Sequence, residues 1–171
     1  MSKAVIDALV ERFPEAVYDP YVGVGGDDCA FVRRERIADV CRFLKDQSGF
    51  DMAPYITAVD YLGQTPRFEV VYNLYATKAN ARVRLRVKVG EGEEIPSVTS
   101  VWRGADWFER YCWDMYGIRV ANHPDLRRLL LYEEFVGHPL RKDYPLRGRQ
   151  PLMPEREVHD LFRGPGPATR D

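Results

Sequence analysis

The chain has 171 residues, 45% of them hydrophobic, and a formal net charge of −1 at pH 7. This length predicts one domain with or without an extra arm, and the hydrophobic content is sufficient for a packed core. The near-neutral charge excludes a global electrostatic field that would draw the chain to nucleic acid or to acidic lipid.

The N-terminal part of the chain predicts one helix followed by a β-hairpin. Apolar residues recur at helical spacing over residues 4–13, and Pro14 stops this helix. Residues 16–24 and 29–32 are strand candidates. The Gly-Gly-Asp-Asp sequence at 25–28 predicts the turn between them, and we expect its two carboxylates to be solvated.

The next part predicts a second helix and three more strands. Ile37, Val40, Cys41 and Leu44 have the spacing of a helix over residues 36–47, which Ser48-Gly49 closes. Strand candidates follow, and their connections are short enough for antiparallel hairpins. They cover residues 55–62, 68–75 and 82–89, and the last of these alternates strictly between apolar and basic side chains. The order α-β-β-α-β-β-β predicts an α+β fold, a two-layer structure in which two helices cover one face of a mixed, mostly antiparallel sheet.

An aromatic helix and an extended arm are expected after the sheet. Residues 104–117 carry an apolar stripe at helical spacing and end at Gly117, which tolerates the positive φ of a helix C-terminus. From Pro139 onward the chain holds six of its twelve prolines and few large apolar residues, so it cannot form a core of its own. We therefore divide the chain into an α+β sheet domain (1–96), the aromatic helix and signature region packed on it (97–138), and a Pro- and Arg-rich arm for partner docking (139–171) with a flexible end.

The sequence gives no catalytic, cofactor-binding or metal-binding residue. The glycines at 23–26 fail the dinucleotide pattern G-x-G-x-x-G and lead into a strand, and no phosphate-binding P-loop is present. A small independent metal enzyme that uses His123, Asp125 and His138 is a hypothesis of a different class, but their spacing matches no standard ligand pattern. Both His123 and His138 precede proline, and such steps are more typical of rigid turns with a hydrogen-bonded imidazole.

Nucleic-acid binding and secretion also find little support. The basic pairs Arg127-Arg128 and Arg141-Lys142 lack the interleaved aromatic residues of an RNA-stacking platform. The three cysteines are scattered, which favours a reducing compartment over a disulfide framework. The sequence shows no signal peptide and no apolar run near the roughly 20 residues that span a bilayer. We expect a soluble chain that meets a membrane only through another protein.

The aromatic cluster around the predicted helix combines tryptophan, tyrosine and arginine, which anchor many protein interfaces. Trp102, Trp107 and Trp113 lie within twelve residues. That number exceeds what a small helix needs to cover a sheet. We expect these aromatic side chains to be divided between the core and a partner surface.

The segment from Pro96 to Leu146 resembles the signature region of the 30-kDa-type subunit of respiratory complex I, the C subunit of bacterial NADH-quinone oxidoreductase. The matching residues all lie within 109–146, which is here called the signature segment. The matching blocks occur in a fixed order: Glu109-Arg110, Asp114-Met115-Tyr116-Gly117-Ile118, His123-Pro124-Asp125-Leu126-Arg127-Arg128 and Gly137-His138-Pro139-Leu140-Arg141-Lys142-Asp143-Tyr144-Pro145-Leu146. The resemblance implies a signature and partner-interface role for the following residues: Glu109, Arg110, Asp114, Gly117, His123, Pro124, Asp125, Arg127, Arg128, Gly137, His138, Pro139, Arg141, Lys142, Asp143 and Pro145.

The same resemblance implies a structural function, with no catalytic step assigned to residues of this chain. It implies a scaffold subunit in the peripheral arm of a proton-translocating NADH:quinone oxidoreductase, on the cytoplasmic face of the bacterial inner membrane. Its partners would be the large quinone-site subunit and neighbouring iron–sulfur subunits, and FMN and iron–sulfur clusters would belong to the partners. The equivalent subunit of a membrane hydrogenase, or of a dehydrogenase with another electron donor, remains an alternative, because other subunits read the donor.

Overall fold

The computed structural model describes residues 3–150, so the part of the predicted arm from 151 to 171, with its expected flexible end, lies outside the described residues. A single 3-10 turn, Arg34–Arg36, precedes the second helix. Residues 3–150 form these helices and strands: α1 Lys3–Arg12, β1 Val17–Val22, β2 Asp28–Val32, α2 Ile37–Ser48, β3 Met52–Asp60, β4 Phe68–Ala76, β5 Ala81–Val89, β6 Glu94–Pro96, α3 Ala105–Tyr116 and β7 Arg119–Ala121.

The main sheet has five strands in the order β1-β2-β5-β4-β3. Its neighbouring strands are antiparallel except for β2 and β5, which run parallel. The parallel pair arises because the chain leaves β2 through α2, forms the β3–β4 hairpin at the far edge, and returns as β5 beside β2. The predicted mixed, mostly antiparallel α+β fold is thus confirmed.

Strand β5 shows how the sequence pattern builds the two layers. Val83, Leu85, Val87 and Val89 are buried on one face, whereas the alternating basic residues face the other. Helix α2 covers the buried face with Ile37, Val40, Cys41 and Leu44. The prediction assigned two helices to this face, but α3 also packs beside β3 and adds Ala105 and Cys112 to the same core.

A short second sheet was not predicted from the sequence. Its two strands, β6 and β7, run parallel, with Ile95 opposite Val120, and both side chains are buried. Strands of three residues are too short to show a periodicity, which is why the sequence gives no signal for them. The pairing brings the chain before α3 beside the chain after it, and so positions both ends of α3.

One expectation about charge was wrong. Asp28 was expected to be a solvated turn residue, but it begins β2 opposite Val83 and is 6% exposed. Because alternation along the strand directs this side chain toward the covered face of the sheet, the carboxylate is buried.

Cys29, Cys41 and Cys112 are buried free thiols. Within residues 3–150, no helix has the length and apolar character needed to cross a bilayer.

A candidate partner-binding site in the signature segment

Asp114 is the centre of the signature segment. It lies in the last turn of α3, and its side chain has no solvent exposure. Its Oδ2 accepts hydrogen bonds from the backbone N–H groups of Leu129, Leu130 and Leu131 at 3.1, 2.8 and 3.1 Å. Burial alone would raise the pKa of Asp114, but these bonds and one from Arg128 outweigh it and hold the pKa below its ordinary value. Three successive N–H groups around one carboxylate oxygen fix the course of the loop after β7.

Arg128 ties this loop to the next turn of the chain. Its Nη1 donates to Oδ1 of Asp114 at 2.8 Å, and its Nη2 donates to the carbonyl oxygens of Phe135 and Gly137 at 2.7 and 3.3 Å. The guanidinium carbon also lies 5.7 Å from the ring centroids of both Trp113 and Phe135. The guanidinium group of Arg128 is therefore paired with acceptors of the same chain.

Arg110, one turn before Asp114 in α3, also binds the loop after β7. It is 8% exposed, and it donates from Nε to the carbonyl oxygen of Arg127 at 3.1 Å and from Nη2 to that of Arg128 at 2.8 Å. The side chain of Arg127 points outward and pairs with Asp125 at 2.8 Å. The two arginines on either side of the loop thus differ in role: Arg110 supports its backbone, while Arg127 faces solvent.

The side chain of His123 is fully buried behind the loop. Its Nδ1 accepts the backbone N–H of Asp125 at 3.1 Å, so the proton of the neutral imidazole sits on Nε2. That Nε2 lies 3.3 Å from the carbonyl oxygen of Asp106 and 3.8 Å from Oε2 of Glu109. The hydrogen bonds of the imidazole therefore hold the backbone turn at His123-Pro124, as the sequence indicated.

Glu109 fixes the connection between β6 and α3. Its Oε1 accepts the backbone N–H of Val98 at 2.6 Å, and its Oε2 accepts the hydroxyl of Ser97 at 2.7 Å. Burial raises the pKa of Glu109 to about 7, against the lowering effect of these two bonds, and Asp106 raises it further. This residue is a structural carboxyl group rather than a surface charge.

His138 locks the second His-Pro step against the end of α3. Its Nδ1 lies 2.9 Å from the carbonyl oxygen of Asp114. Its ring also packs on Gly117, where a Cβ atom would come within 2.7 Å of Cδ2 of the imidazole. Gly117 has a φ of 77°, so it ends the helix as predicted and also leaves room for His138. In the part of the chain that the structure describes, no three His, Cys, Asp or Glu side chains are arranged to hold a metal ion.

The first residues of the predicted arm are hydrogen-bonded to α3 and to the main sheet. The backbone N–H of Leu140 donates to the carbonyl oxygen of Met115 at 3.1 Å. The backbone N–H of Lys142 donates to Oδ2 of Asp60, at the end of β3, at 2.8 Å. The arm therefore begins as a strap from the end of α3 to the edge of the sheet.

Arg67 fixes this strap at the sheet. Its guanidinium makes two bonds to Asp60, at 2.8 and 2.9 Å, and reaches the Asp143 carboxylate at 2.9 and 3.0 Å. Arg141 pairs with Glu91 and lies 3.4 Å from Asp143. Arg141 and Asp143, which the resemblance assigns to partner docking, thus also pair with residues at the ends of strands in the main sheet, whereas Lys142 is exposed. Sequence reasoning missed Arg67, Asp60 and Glu91, because 50 to 82 residues separate them from the arm residues they bind.

The signature segment exposes five large apolar side chains among charged ones such as Arg127, Glu133 and Glu134. Leu130 and Val136 are each 66% exposed, and Leu146 is 99% exposed. Tyr132 and Leu140 are partly exposed as well. These five side chains, here called the exposed apolar set, lie on a segment that the internal hydrogen bonds have made rigid. Of the other residues singled out from the sequence, Pro124, Asp125 and Pro145 are exposed, and Pro139 is half-buried.

Gly137 allows a close approach within the same segment. Its φ is 96°, and a Cβ atom there would lie 2.9 Å from Cε2 of Tyr144. Tyr144 in turn stacks on Phe135, with ring centroids 6.0 Å apart. Of the aromatic residues near α3, Trp102 is buried, Trp113 is half-buried and Trp107 is 66% exposed, so they divide between core and surface as expected.

Comparison with known proteins gives consistent family matches. The family described as "Respiratory-chain NADH dehydrogenase, 30 Kd subunit" matches residues 30–150. The chain is 49% identical over 166 residues to the NADH-quinone oxidoreductase C subunit 2 of Rhizobium etli, which covers 95% of this chain and 88% of that relative. It is 53% identical over 174 residues to the C subunit 2 of Rhizobium meliloti, with 93% and 94% covered. It is 45% identical over 160 residues to the C subunit of the Geobacter sulfurreducens enzyme, with 92% and 94% covered.

A solved structure shares the fold at low sequence identity. It is a chain of the membrane-bound sulfane sulfur reductase, an archaeal respiratory membrane complex, with a TM-score of 0.71 and 20% identity. The match covers 85% of this chain and 86% of that chain. At this level of identity the likeness supports the fold and carries no statement about the reaction.

Proposed function

The chain belongs to the family of the 30 kDa subunit of respiratory-chain NADH dehydrogenase, and we propose that it acts there as a scaffold subunit without a cofactor of its own. Its host would be a proton-translocating NADH:quinone oxidoreductase, in which it holds the large quinone-site subunit and neighbouring iron–sulfur subunits together. FMN and iron–sulfur clusters would lie in those partners, and the oxidoreductase activity would belong to the complex. The chain would then sit peripherally on the cytoplasmic face of the bacterial inner membrane.

The observation that carries this proposal is that three charged signature residues are bound inside the chain. Asp114, Arg110 and Arg128 are bound to backbone groups of the chain itself, so they do not face a reactant. Catalysis requires groups that touch the reacting atoms, whereas a scaffold requires a surface of fixed shape. The signature charges supply that shape, and the exposed apolar set supplies side chains for a partner.

Pre-organisation is the physical advantage of this arrangement. A segment with no regular secondary structure would lose conformational entropy when it binds a partner. The bonds from Asp114 and Arg128 impose that order before binding. Exposed apolar residues on an ordered segment are typical of a protein interface, and their burial would stabilise the complex at about 25 cal/mol per Å² of apolar area removed from water.

Purification of the complex from membranes tests the proposal. The tagged chain replaces the native one in its host, and complexes are recovered in mild detergent and assayed for subunits and for NADH:quinone activity. We expect fewer partner subunits to be recovered with the double variant Leu130→Gln, Val136→Gln. It replaces two exposed apolar side chains by polar ones and leaves the core unchanged. The matched control is Val22→Gln, Leu62→Gln, whose side chains are also more than half exposed but lie outside the signature segment.

The outcomes separate the hypotheses clearly. Recovery of flavin and iron–sulfur subunits with activity, reduced only in the first double variant, supports the scaffold role. Recovery of a hydrogenase-type or other donor module in place of the NADH-oxidising subunits would assign the chain to the related complex. An isolated, monomeric chain without partners would overturn the proposal.

A further inference from the structure

A groove lined entirely by residues outside the signature segment has a distinct, basic character. This open groove has a volume of about 720 Å³ and lies between the end of α1, the start of β1 and the turn before α2. Its lining includes Arg12, Arg33, Arg36, Phe13, Tyr18 and Glu15. None of these residues belongs to the signature segment or contributes to its hydrogen bonds.

The groove is locally basic in a chain that is nearly neutral. Three arginines and one glutamate among its lining residues leave a formal charge of +2, against −1 for the whole chain. Arg36 is engaged with Asp39 at 3.2 Å. Within residues 3–150, no carboxylate lies at salt-bridge distance from Arg12 or Arg33. Two guanidinium groups in the groove are therefore open to an anion.

The arginines are positioned by contacts that leave their charges accessible. Nε of Arg33 donates to the carbonyl oxygen of Glu15 at 2.7 Å, which leaves both Nη atoms for a ligand. The guanidinium carbon of Arg12 lies 5.5 Å from the ring centroid of Phe13, and that of Arg36 lies 5.9 Å from it. Phe13 is itself fixed edge-on against Phe43, with ring centroids 5.6 Å apart. The fixed Phe13 ring thus makes cation–π contacts with Arg12 and Arg36. Aromatic and arginine side chains are common at the anchoring points of interfaces.

The shape of the groove favours a peptide over a compact ion. Its basic side chains are exposed and spread over several elements, so they do not converge on one enclosed point. Guanidinium groups bind carboxylates through paired hydrogen bonds, and the Phe13 and Tyr18 rings offer contacts to the aliphatic parts of neighbouring side chains. Carboxylates spaced along an extended segment would meet both free arginines.

We propose that this groove docks an acidic, extended segment of another subunit of the complex, with carboxylates of that segment paired to Arg12 and Arg33. The proposal rests on the proposed function, since it takes the chain to be a subunit of a larger assembly. It adds a second contact surface, separate from the exposed apolar set and different in chemistry. The chain would hold its neighbours through an apolar contact at one place and a charged contact at the other.

Photo-crosslinking in the assembled complex tests this surface. Tyr18 is replaced by p-benzoyl-phenylalanine in the tagged chain, the complex is purified from membranes, and crosslinked peptides are identified by mass spectrometry. The same probe at exposed Val24, outside the groove, is the positional control. We expect the Tyr18 probe to capture a segment of another subunit that is rich in aspartate and glutamate.

Charge-neutral variants show whether the arginines carry the contact. In Arg12→Gln, Arg33→Gln, loss of the paired charges is expected to lower the yield of that crosslink about fivefold or more. The control Arg42→Gln, Arg103→Gln removes two exposed arginines outside the groove and should leave the yield unchanged.

Failure of this inference can be told apart from failure of the proposed function. If partners and activity are recovered but the Tyr18 probe captures nothing, captures a segment without carboxylates, or captures residues 151–171 of the same chain, the docking proposal is overturned and the scaffold role stands. If the crosslink persists at full yield in Arg12→Gln, Arg33→Gln, the charged contact is wrong. If the unsubstituted chain recovers no subunits, both proposals fall.

Discussion

Nη1 of Arg128 donates a 2.8 Å hydrogen bond to Oδ1 of Asp114, whose side chain has no exposure to solvent. The two residues come from the last turn of α3 and from the loop beyond β7, so this bond joins the helix to an irregular segment. Three backbone N–H groups complete the coordination of the same carboxylate. The negative charge of Asp114 is thereby matched by one cation and three backbone donors of the loop.

Replacing Asp114 by asparagine should therefore be strongly destabilising. The variant keeps the size of the side chain but leaves the Arg128 guanidinium without its buried counter-charge, and removing one partner of a buried pair costs about 3–5 kcal/mol of unfolding free energy. Urea unfolding followed by circular dichroism measures the change. The control is Arg127→Ala, which breaks the exposed pair with Asp125 and should not change the stability measurably. Equal stabilities of Asp114→Asn and the parent chain would contradict the central role of Asp114.

Gly117 and Gly49 provide a matched pair of helix ends. Both have left-handed φ values, 77° and 73°, at the C-terminus of α3 and of α2. An added Cβ would meet the His138 ring at 2.7 Å in the first case and open space in the second. We expect Gly49→Ala to cost about 1 kcal/mol from backbone strain alone, and Gly117→Ala to cost clearly more because His138 must also move. Urea unfolding of both variants and of Gly117→Ala with His138→Ala gives the comparison; equal costs at the two glycines would show that the His138 contact contributes nothing.

The sequence predicted the sheet well because alternation is a strong signal where one face is buried. Residues 82–89 were expected as a strand, and β5 spans Ala81–Val89 with its apolar residues on the covered face. The β6–β7 pair was missed, since three-residue strands paired across 25 residues have no local pattern. Asp28 was misjudged because its burial depends on which face of β2 meets the helices, a tertiary property.

Within the site, sequence and structure differ in a similar way. The resemblance drew attention to Asp114, Arg128 and His138, but it could not say that their polar atoms bind backbone groups of the same chain. The contact between Arg67 and Asp143 joins residues 76 positions apart. Such a bond leaves no periodic trace in the sequence, because neither residue occupies a position that a helix or strand pattern would mark.

Glu109 should give the chain a pH-dependent stability that its glutamine variant lacks. Burial raises the pKa of Glu109 from 4.5 to about 7 in the folded chain. Between these values the folded chain holds a proton that the unfolded chain has released, so the unfolding free energy falls as the pH rises from 4.5 to 7. The loss amounts to about 3 kcal/mol across this window, from 1.36 kcal/mol per pKa unit.

Glu109→Gln imitates the protonated carboxyl group, because its oxygen can accept the Val98 N–H while its amide donates to Ser97. Urea unfolding between pH 5 and 8 should therefore show the variant gaining stability relative to the parent as the pH rises. Subtracting the two profiles removes the contributions of other carboxylates that titrate in both chains. Parallel profiles would mean that Glu109 is not protonated near neutral pH.

The strap from α3 to the sheet gives a prediction about local opening. The Lys142 N–H donates to Asp60, and Asp143 binds the same Arg67 that holds Asp60 in place. Asp143→Asn removes one charged partner of Arg67 and should weaken the strap without unfolding the sheet. Because a hydrogen bond contributes about 0.5–1.5 kcal/mol net, the Lys142 and Leu140 amides should exchange with solvent deuterium roughly two- to tenfold faster.

Hydrogen exchange followed by NMR separates this local effect from global loss of stability. Amides in the centre of β4 and β5 should keep their parent rates, whereas those at 140 and 142 should speed up together. Asp125→Asn is the control, since it changes an exposed aspartate in the same signature segment that has no contact with the strap. If Asp143→Asn leaves both amides at their parent rates, the strap is held by Asp60 and the Met115 carbonyl alone, and Asp143 is left free to pair with a neighbouring subunit as the family resemblance implies.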